Sequence, residues 1–227
     1  MILRNLSPIS SSLSRNLVKW AVRLKIPLAG LQPLEKVIII ANGVPDAIVC
    51  LILAHKFNGK QFVGILKPLE GLRVGAISSA LKIVRSKKVK DILIILDQER
   101  DPLEELWRRI ERKLSEVVKY EISRVENRFR MYICSHAYYK FRMLIVISGL
   151  STPYSDKHTI EDHLLELSKE VLTKEDVERI LRSYRDPKAA WQKLGEKHQA
   201  IYSYLLNASK DKLKQFFPQH IKAFSLF

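Results

Sequence analysis

Three acidic side chains follow one of the most apolar runs of the chain at intervals of two residues. Residues 92–96 are all isoleucine or leucine, and Asp97, Glu99 and Asp101 come next, before Pro102. Side chains two apart in an extended segment point the same way, so these carboxylates could face one ion. Carboxylates gathered where a strand of an α/β sheet ends suit Mg²⁺, a hard cation that prefers oxygen ligands. The run predicts a metal site formed by Asp97, Glu99 and Asp101.

Two of these acids also have a structural interpretation. Asp101 precedes Pro102, and Glu104 follows three residues later, which is the pattern of a capped helix start. Glu99 could be an exposed turn residue. Asp97, directly at the end of the apolar run, is the hardest of the three to explain by structure alone.

A second segment, residues 38–47, combines an apolar strand, a glycine turn and the start of a helix. Gly43 lies in the turn and Asp46 in the first helical turn. This geometry directs backbone N–H groups and the positive end of a helix toward an anion, so Gly43 is a candidate for phosphate binding. The alternative is a tight turn in which Asp46 is an ordinary first-turn acid.

Taken together, the two segments resemble the Toprim domain, which is shared by topoisomerases, bacterial primases, small nucleases of the OLD type and archaeal single-domain relatives. The family's first motif is a strand followed by Glu-Gly-x-x-Asp, matched here at Gly43 and Asp46. Its second motif is a strand followed by Asp-x-Asp, matched at Asp97 and Glu99, with Asp101 as a third acid. The resemblance covers residues 35–118 and extends in weaker form to residue 147.

This resemblance implies Mg²⁺-dependent phosphodiester chemistry on nucleic acid. Asp97 and Glu99 would hold the metal, Asp46 or another acid would assist, and Asp46 and Asp97 are the catalytic candidates. One departure matters, because Asn42 stands where the family has a catalytic glutamate. An amide has no titratable proton at neutral pH and adds no negative charge.

Another acid could replace the missing glutamate. Glu70 precedes a glycine, and Glu161 and Asp162 begin a helix in the C-terminal part, but the sequence places neither near the motifs. Three functions therefore stay open. The chain could be a Mg²⁺-dependent nuclease, a catalytically inactive Toprim-like module that serves as a nucleic-acid or protein interaction scaffold, or a structural protein with a charge-rich composition.

The surrounding pattern predicts an α/β fold with a mainly parallel central sheet flanked by helices. Strands and helices alternate up to about residue 118, a hairpin and a further strand follow, and the chain then becomes helical. We expect a basic N-terminal segment at 1–34, a Toprim-like α/β domain at 35–150 and a helical C-terminal extension at 151–227.

A net charge of +15 makes a polyanion the expected partner, DNA or RNA before an anionic membrane surface. A hairpin of alternating arginines beside tyrosines could track phosphates and stack bases. The nucleic-acid-binding candidates are Arg124, Arg128, Arg130, Lys140 and Arg142.

The N-terminal segment carries five basic residues and no acid, a composition typical of an organellar transit peptide. Leu13, Leu17, Trp20 and Leu24 recur at helical spacing, which favours a helix packed on the domain or facing phosphates. Two cysteines without a zinc pattern indicate a reducing, cytoplasmic location. No apolar run approaches the roughly 20 residues of a transmembrane helix.

Overall fold

The strands and helices were assigned in a computed structural model that describes residues 2–8, 10–30, 34–57, 61–68, 73–136, 139–150 and 155–227. The strands of this described part are β1 (Ile2–Asn5), β2 (Lys36–Ile40), β3 (Phe62–Leu66), β4 (Asp91–Asp97), β5 (Lys119–Glu126), β6 (Phe129–His136) and β7 (Tyr139–Ser148). The α-helices are α1 (Ser12–Arg23), α2 (Val44–Phe57), α3 (Ala76–Lys87), α4 (Leu103–Ser115), α5 (Ile160–Ser168), α6 (Lys174–Ser183), α7 (Pro187–Leu194), α8 (His198–Asn207), α9 (Lys210–Phe216) and α10 (Pro218–Leu226).

The strands form one sheet in the order β1-β3-β2-β4-β7-β6-β5. The first five in this order are parallel, and β6 and β5 are antiparallel to their neighbours. The predicted α/β class with a largely parallel sheet is confirmed. Because β2 and β4 are parallel neighbours with Ile40 opposite Ile95, their carboxyl ends lie at the same edge.

Helices cover both faces of the sheet, which is why the central strands are apolar throughout. On one face, Ile38, Ile40, Leu93 and Ile95 pack against α1, α2 and the C-terminal helices. On the other face, the alternate residues of β2 and β4 pack against α3 and α4. A parallel strand buried on both faces needs such an uninterrupted run of branched apolar side chains.

The N-terminal segment contributes to the same sheet and core. β1 pairs with β3, and this short edge strand was not predicted. Helix α1 buries Leu13, Leu17 and Trp20, and the Trp20 ring meets the Tyr202 ring of α8 edge-on at 4.8 Å. Helix α1 is therefore a packed helix, one of the two arrangements that its apolar spacing favours.

Helix α4 begins differently from the predicted capping box. Its N-cap residue is Pro102, with no side-chain capping hydrogen bond, so the prediction of Asp101 as the cap was wrong. The Asp101 carboxylate is instead paired with the guanidinium groups of Arg73 and Arg109. Two charged donors outcompete one backbone N–H for the same oxygens.

The predicted hairpin and the further strand after it are confirmed as β5, β6 and β7. Helix α6 is capped by Thr173, whose hydroxyl accepts from the backbone N–H of Asp176. Within the described residues, no helix combines the length and apolar character needed to cross a membrane.

Candidate functional site

Three acidic side chains from separate elements converge at the carboxyl edge of β2 and β4. Asp97 ends β4, Asp46 lies in the first turn of α2, and Glu161 lies in the first turn of α5. They are 1%, 1% and 4% exposed. The pKa of Asp97 is raised by burial and then by the charges of Asp46 and Glu161, so the three carboxylates interact directly. We call Asp46, Asp97 and Glu161 the acid cluster.

Asp97 is held by a backbone group on one side and faces a cation on the other. Its Oδ1 accepts a 2.9 Å hydrogen bond from the N–H of Ile160, at the start of α5. Its Oδ2 has no hydrogen-bond partner and lies 3.7 Å from Nζ of Lys188. One carboxylate oxygen is therefore fixed in direction, and the second remains available.

Asp46 uses the glycine turn for its own support. Its Oδ2 accepts a 3.0 Å bond from the N–H of Gly43, and its Oδ1 has no partner. Burial, followed by the charge of Glu161, raises the pKa of Asp46 to about 7. The Gly43 N–H, predicted to bind a phosphate group, is thus occupied by a side chain of the same turn.

Glu161 lies on helix α5, which is held in place by hydrogen bonds of the His163 side chain. The N–H of Gly149 donates to Nε2 of His163 at 2.9 Å, so Nδ1 of that ring donates to the Phe216 carbonyl, 2.5 Å away. Burial lowers the pKa of His163 to about 4, which keeps the ring neutral. Oε2 of Glu161 has no hydrogen-bond partner, and burial raises the pKa of this side chain.

Lys188, the second residue of α7, supplies the positive charge at the cluster. Its Nζ donates a 2.6 Å bond to Oε1 of Glu99. Burial alone would lower the pKa of Lys188, but the bond to Glu99 and the charges of Asp97 and Glu161 outweigh burial and raise it. This ammonium stays charged and partly neutralises the carboxylates.

Glu99 lies on the far side of Lys188 in a left-handed backbone conformation, with φ of 58°. Two backbone bonds with His158, of 2.8 and 2.9 Å, hold it there. A non-glycine residue in this conformation is strained by about 1 kcal/mol or more, so the pairing must compensate. Oε2 of Glu99 also lies 3.5 Å from Nζ of Lys157.

The three acids predicted to share one metal therefore do not form one ligand group, although Asp97 and Glu99 both lie near Lys188. Asp97 lies in the acid cluster. Glu99 forms ion pairs with Lys157 and Lys188. Asp101 forms ion pairs with Arg73 and Arg109. Burial acts to raise the pKa of Asp101, but the hydrogen bond from Arg109 and the charge of Arg73 prevail and lower it. Over the described ranges, no three His, Cys, Asp or Glu side chains are arranged to hold a metal ion.

The hairpin cations are mostly engaged within the chain. Arg130 donates to Glu111 at 2.5 Å, Arg142 to Asp91 at 2.6 Å, and Arg124 to Glu126 at 2.9 Å. Arg128 is half-buried, and burial lowers its pKa. Lys140 is exposed. Tyr138, one of the tyrosines beside the hairpin in the sequence, lies outside the described residues, as does Glu70.

Two openings flank the acid cluster. A pocket of about 410 Å³ is lined by Gly43, Glu161, Lys188, Trp191 and neighbouring side chains, so it gives access to the cluster from the side of α1 and α8. A larger cleft of about 680 Å³ lies beyond Lys157, between Arg100 and helix α6.

The sequence predicted Asp46 and Asp97 as catalytic residues, and it offered Glu161 as one of several acids that could replace the missing glutamate. It did not place Glu161 near the motifs, and Lys188 was not singled out. The pattern around Lys188, with Asp186 capping α7 and Pro187 in its first turn, indicates a helix start but not what the lysine faces.

Comparison of this chain with protein-family models, with curated proteins and with solved structures gave no match.

Proposed function

We propose that this chain is a Toprim-like nucleic-acid-binding protein that cleaves phosphodiester bonds with Mg²⁺ at the acid cluster. The observation that carries the proposal is the convergence of three buried carboxylates, each with one oxygen that has no hydrogen-bond partner. Structural carboxylates in a protein interior are normally paired or fully hydrogen-bonded, because burying an unpaired charge is costly. Strongly perturbed acids at the carboxyl edge of a parallel sheet are typical of functional sites.

The donor chemistry of the cluster fits a hard divalent cation. The free oxygens of Asp46, Asp97 and Glu161 are carboxylate oxygens, and the raised pKa values reflect burial and mutual repulsion that a divalent charge would relieve. Glu161 would supply the carboxylate that Asn42 lacks. Because the residues that the structure describes form no ready-made ligand group, binding would require small rotations of these side chains, with Lys188 turning away from Asp97.

Bound Mg²⁺ would polarise the phosphate and stabilise the charge that develops on it. The protein's own contributions are orientation and charge. The Ile160 N–H fixes the direction of Asp97, and the half-exposed Lys188 ammonium borders the pocket from which a phosphate oxygen would approach. In the metal-free chain the pKa of Asp46 is about 7, so its carboxyl group can exchange a proton near neutral pH, and a bound divalent charge would favour its ionised form.

The test uses labelled single- and double-stranded DNA and RNA with the full chain in Mg²⁺, Mn²⁺ or EDTA. We expect metal-dependent cleavage by the natural chain and loss of cleavage in Asp97→Asn, which keeps the shape of the side chain and one oxygen that can accept from Ile160 but removes the charge. The matched control is Glu175→Gln, an exposed first-turn acid of α6, which should cleave normally. Absence of cleavage by the natural chain, or full activity in Asp97→Asn, would refute the proposal.

A second function, nucleic-acid binding without catalysis, is favoured by one specific arrangement. The Lys188 ammonium already balances Asp97 and Glu99, and Asn42 adds no charge. Such a module would bind oligonucleotides with a steep salt dependence, would not cleave them, and would show no Mg²⁺ binding by calorimetry.

A further inference from the structure

The cleft beyond Lys157 is a concave surface lined mainly by charged side chains. It has a volume of about 680 Å³, and its lining residues are Arg100, Ser155, Asp156, Lys157, Leu181, Arg182, Arg185 and Asp186. Four of these side chains are cationic and two are anionic. We call this surface the arginine cleft.

The arginines of the cleft are held only loosely within the chain. Arg100 lies 3.4 Å from Asp156, and both side chains are about three-quarters exposed (73% and 76%). Arg182 lies 3.5 Å from Glu178 and is itself 73% exposed. In the part of the chain that the structure describes, Arg185 makes no ion pair. Such exposed pairs exchange readily with another anion, because solvent screens them and they contribute little.

The hairpin arginines Arg130 and Arg142 form closer ion pairs within the chain than the arginines of the cleft do. Arg130 is only 13% exposed, its carboxylate partner lies at 2.5 Å, and its guanidinium stacks 4.4 Å from the Trp107 ring centroid. Arg142 is bonded to the largely buried Asp91 at 2.6 Å. A phosphate would have to break these contacts, whereas the guanidinium groups of the arginine cleft already face solvent.

A series of ion pairs joins the arginine cleft to the acid cluster. Lys157 lies 2.7 Å from Asp186 at the cleft and 3.5 Å from Glu99, and Glu99 is bonded to Lys188, which lies 3.7 Å from Asp97. The cleft and the cluster are therefore adjacent, on either side of Glu99.

We infer that the arginine cleft binds the phosphate backbone of the nucleic acid next to the acid cluster. Guanidinium groups suit this ligand, since their planar donors match phosphate oxygens in pairs. This inference rests on the proposed function for the nature of the polyanion, but it concerns binding and needs neither metal nor cleavage. It assigns backbone contact to Arg100, Arg182 and Arg185, and not to the hairpin.

The experiment compares two double variants with the same loss of charge. Arg182→Gln with Arg185→Gln neutralises the cleft, and Lys82→Gln with Arg108→Gln neutralises two exposed cations of α3 and α4, on the opposite face of the sheet. Binding of a labelled single strand and of a duplex is measured by fluorescence anisotropy in EDTA at several salt concentrations.

We expect the cleft variant to weaken binding and to reduce the slope of log K against log salt by about 1.4 for a single strand, or 1.8 for a duplex, which corresponds to two lost phosphate contacts. The control variant should keep the natural slope. Equal losses in both variants, or no loss in the cleft variant, would overturn the inference.

Vesicles containing anionic lipid provide a further arm of the experiment. If the cleft variant loses vesicle binding while its binding to oligonucleotides is unchanged, the cleft recognises a lipid surface and the inference is wrong. Cleft-dependent binding by a natural chain that does not cleave would instead refute only the proposed catalysis.

Discussion

The backbone N–H of Ile160 donates a 2.9 Å hydrogen bond to Oδ1 of Asp97 and so joins the start of α5 to the end of β4 across 63 residues of sequence. The bond places a carboxylate at the positive end of a helix, where negative charge is favoured. It also leaves Oδ2 as the oxygen that faces Lys188. The C-terminal helices thus help to form the site and do not only cover the sheet.

Replacing Ile160 by proline should remove this bond without breaking the helix. Ile160 is the first residue of α5, where proline is tolerated, and Thr159 before it is already extended, with φ −141° and ψ 176°. We expect Ile160→Pro to lose about 1–3 kcal/mol more stability than Ile160→Val, which keeps the N–H.

The loss of stability in Ile160→Pro should be larger at pH 8 than at pH 5. The Ile160 N–H stabilises the ionised carboxylate of Asp97 more than the neutral acid, and the ionised form is more populated at the higher pH. Urea denaturation at both pH values measures it. Equal stability of the proline and valine variants would mean that this hydrogen bond contributes nothing to the fold.

Because the pKa of Asp46 is raised in the folded chain, we expect the free energy of unfolding to depend on pH. Its folded pKa is about 7 and its ordinary value is 3.8, so between these values the folded chain holds a proton that the unfolded chain has released. Stability contributed by this group is therefore present at low pH and declines as pH rises from about 4 to about 7. Asp46→Asn cannot ionise and still accepts from Gly43.

We expect Asp46→Asn to be more stable than the natural chain at pH 8, by on the order of 1–4 kcal/mol, and nearly equal to it at pH 4. The difference between the two denaturation curves reports the ionisation of Asp46 together with its effect on Asp97, whose pKa the Asp46 charge raises. Asp211→Asn, at an exposed position, serves as the control. A difference that stays constant from pH 4 to pH 8 would show that Asp46 is not perturbed.

Lys188→Met should separate two effects of the Lys188 ammonium, which stabilises Asp97 and Glu99 in the metal-free chain and competes with Mg²⁺ for the acid cluster. Without metal, Asp97 and Glu99 lose their cation, and we expect stability at pH 8 to fall by about 1–2 kcal/mol, because half-exposure limits the loss. With Mg²⁺, the variant should bind metal more tightly than the natural chain, since a competing positive charge has gone. Calorimetric titration of Mg²⁺ measures the change in affinity.

Methionine keeps the length of the lysine stem, so packing of α7 should be preserved. If Lys188 also neutralises a phosphate oxygen, cleavage should decrease although metal binding improves. Weaker Mg²⁺ binding in Lys188→Met would contradict the assignment of this lysine as the metal's competitor.

The sequence predicted those features that depend on local pattern. The runs at residues 37–40 and 92–96 indicated parallel strands buried on both faces, and parallel pairing alone brings Asp46 and Asp97 to one edge. Glu161 and Lys188 could not be placed, because their positions depend on how distant helices pack. A pairing such as Lys188 with Glu99, 89 residues apart, leaves no local signal.

The edge strand β1 was missed for a related reason. It has four residues, it contains Arg4 and Asn5, and it pairs on one side only, so its composition does not differ from that of a loop. The sequence predicted a hairpin with alternating arginines, but the alternating pattern does not reveal that Arg130 is paired with an acid of another element, Glu111 of α4.

Arg130→Met tests whether the hairpin is structural or binds nucleic acid. The Arg130 guanidinium bonds to Glu111 at 2.5 Å and stacks over Trp107, and the side chain is 13% exposed. We expect the variant to lose about 1–3 kcal/mol of stability, because Glu111 loses its cationic partner and keeps only the Tyr132 hydroxyl, and because the contact with the Trp107 ring is lost. Its oligonucleotide affinity and salt slope should match those of the natural chain, measured by anisotropy well below the melting temperature. A reduced salt slope with unchanged stability would instead assign Arg130 to a phosphate and return the hairpin to the binding surface.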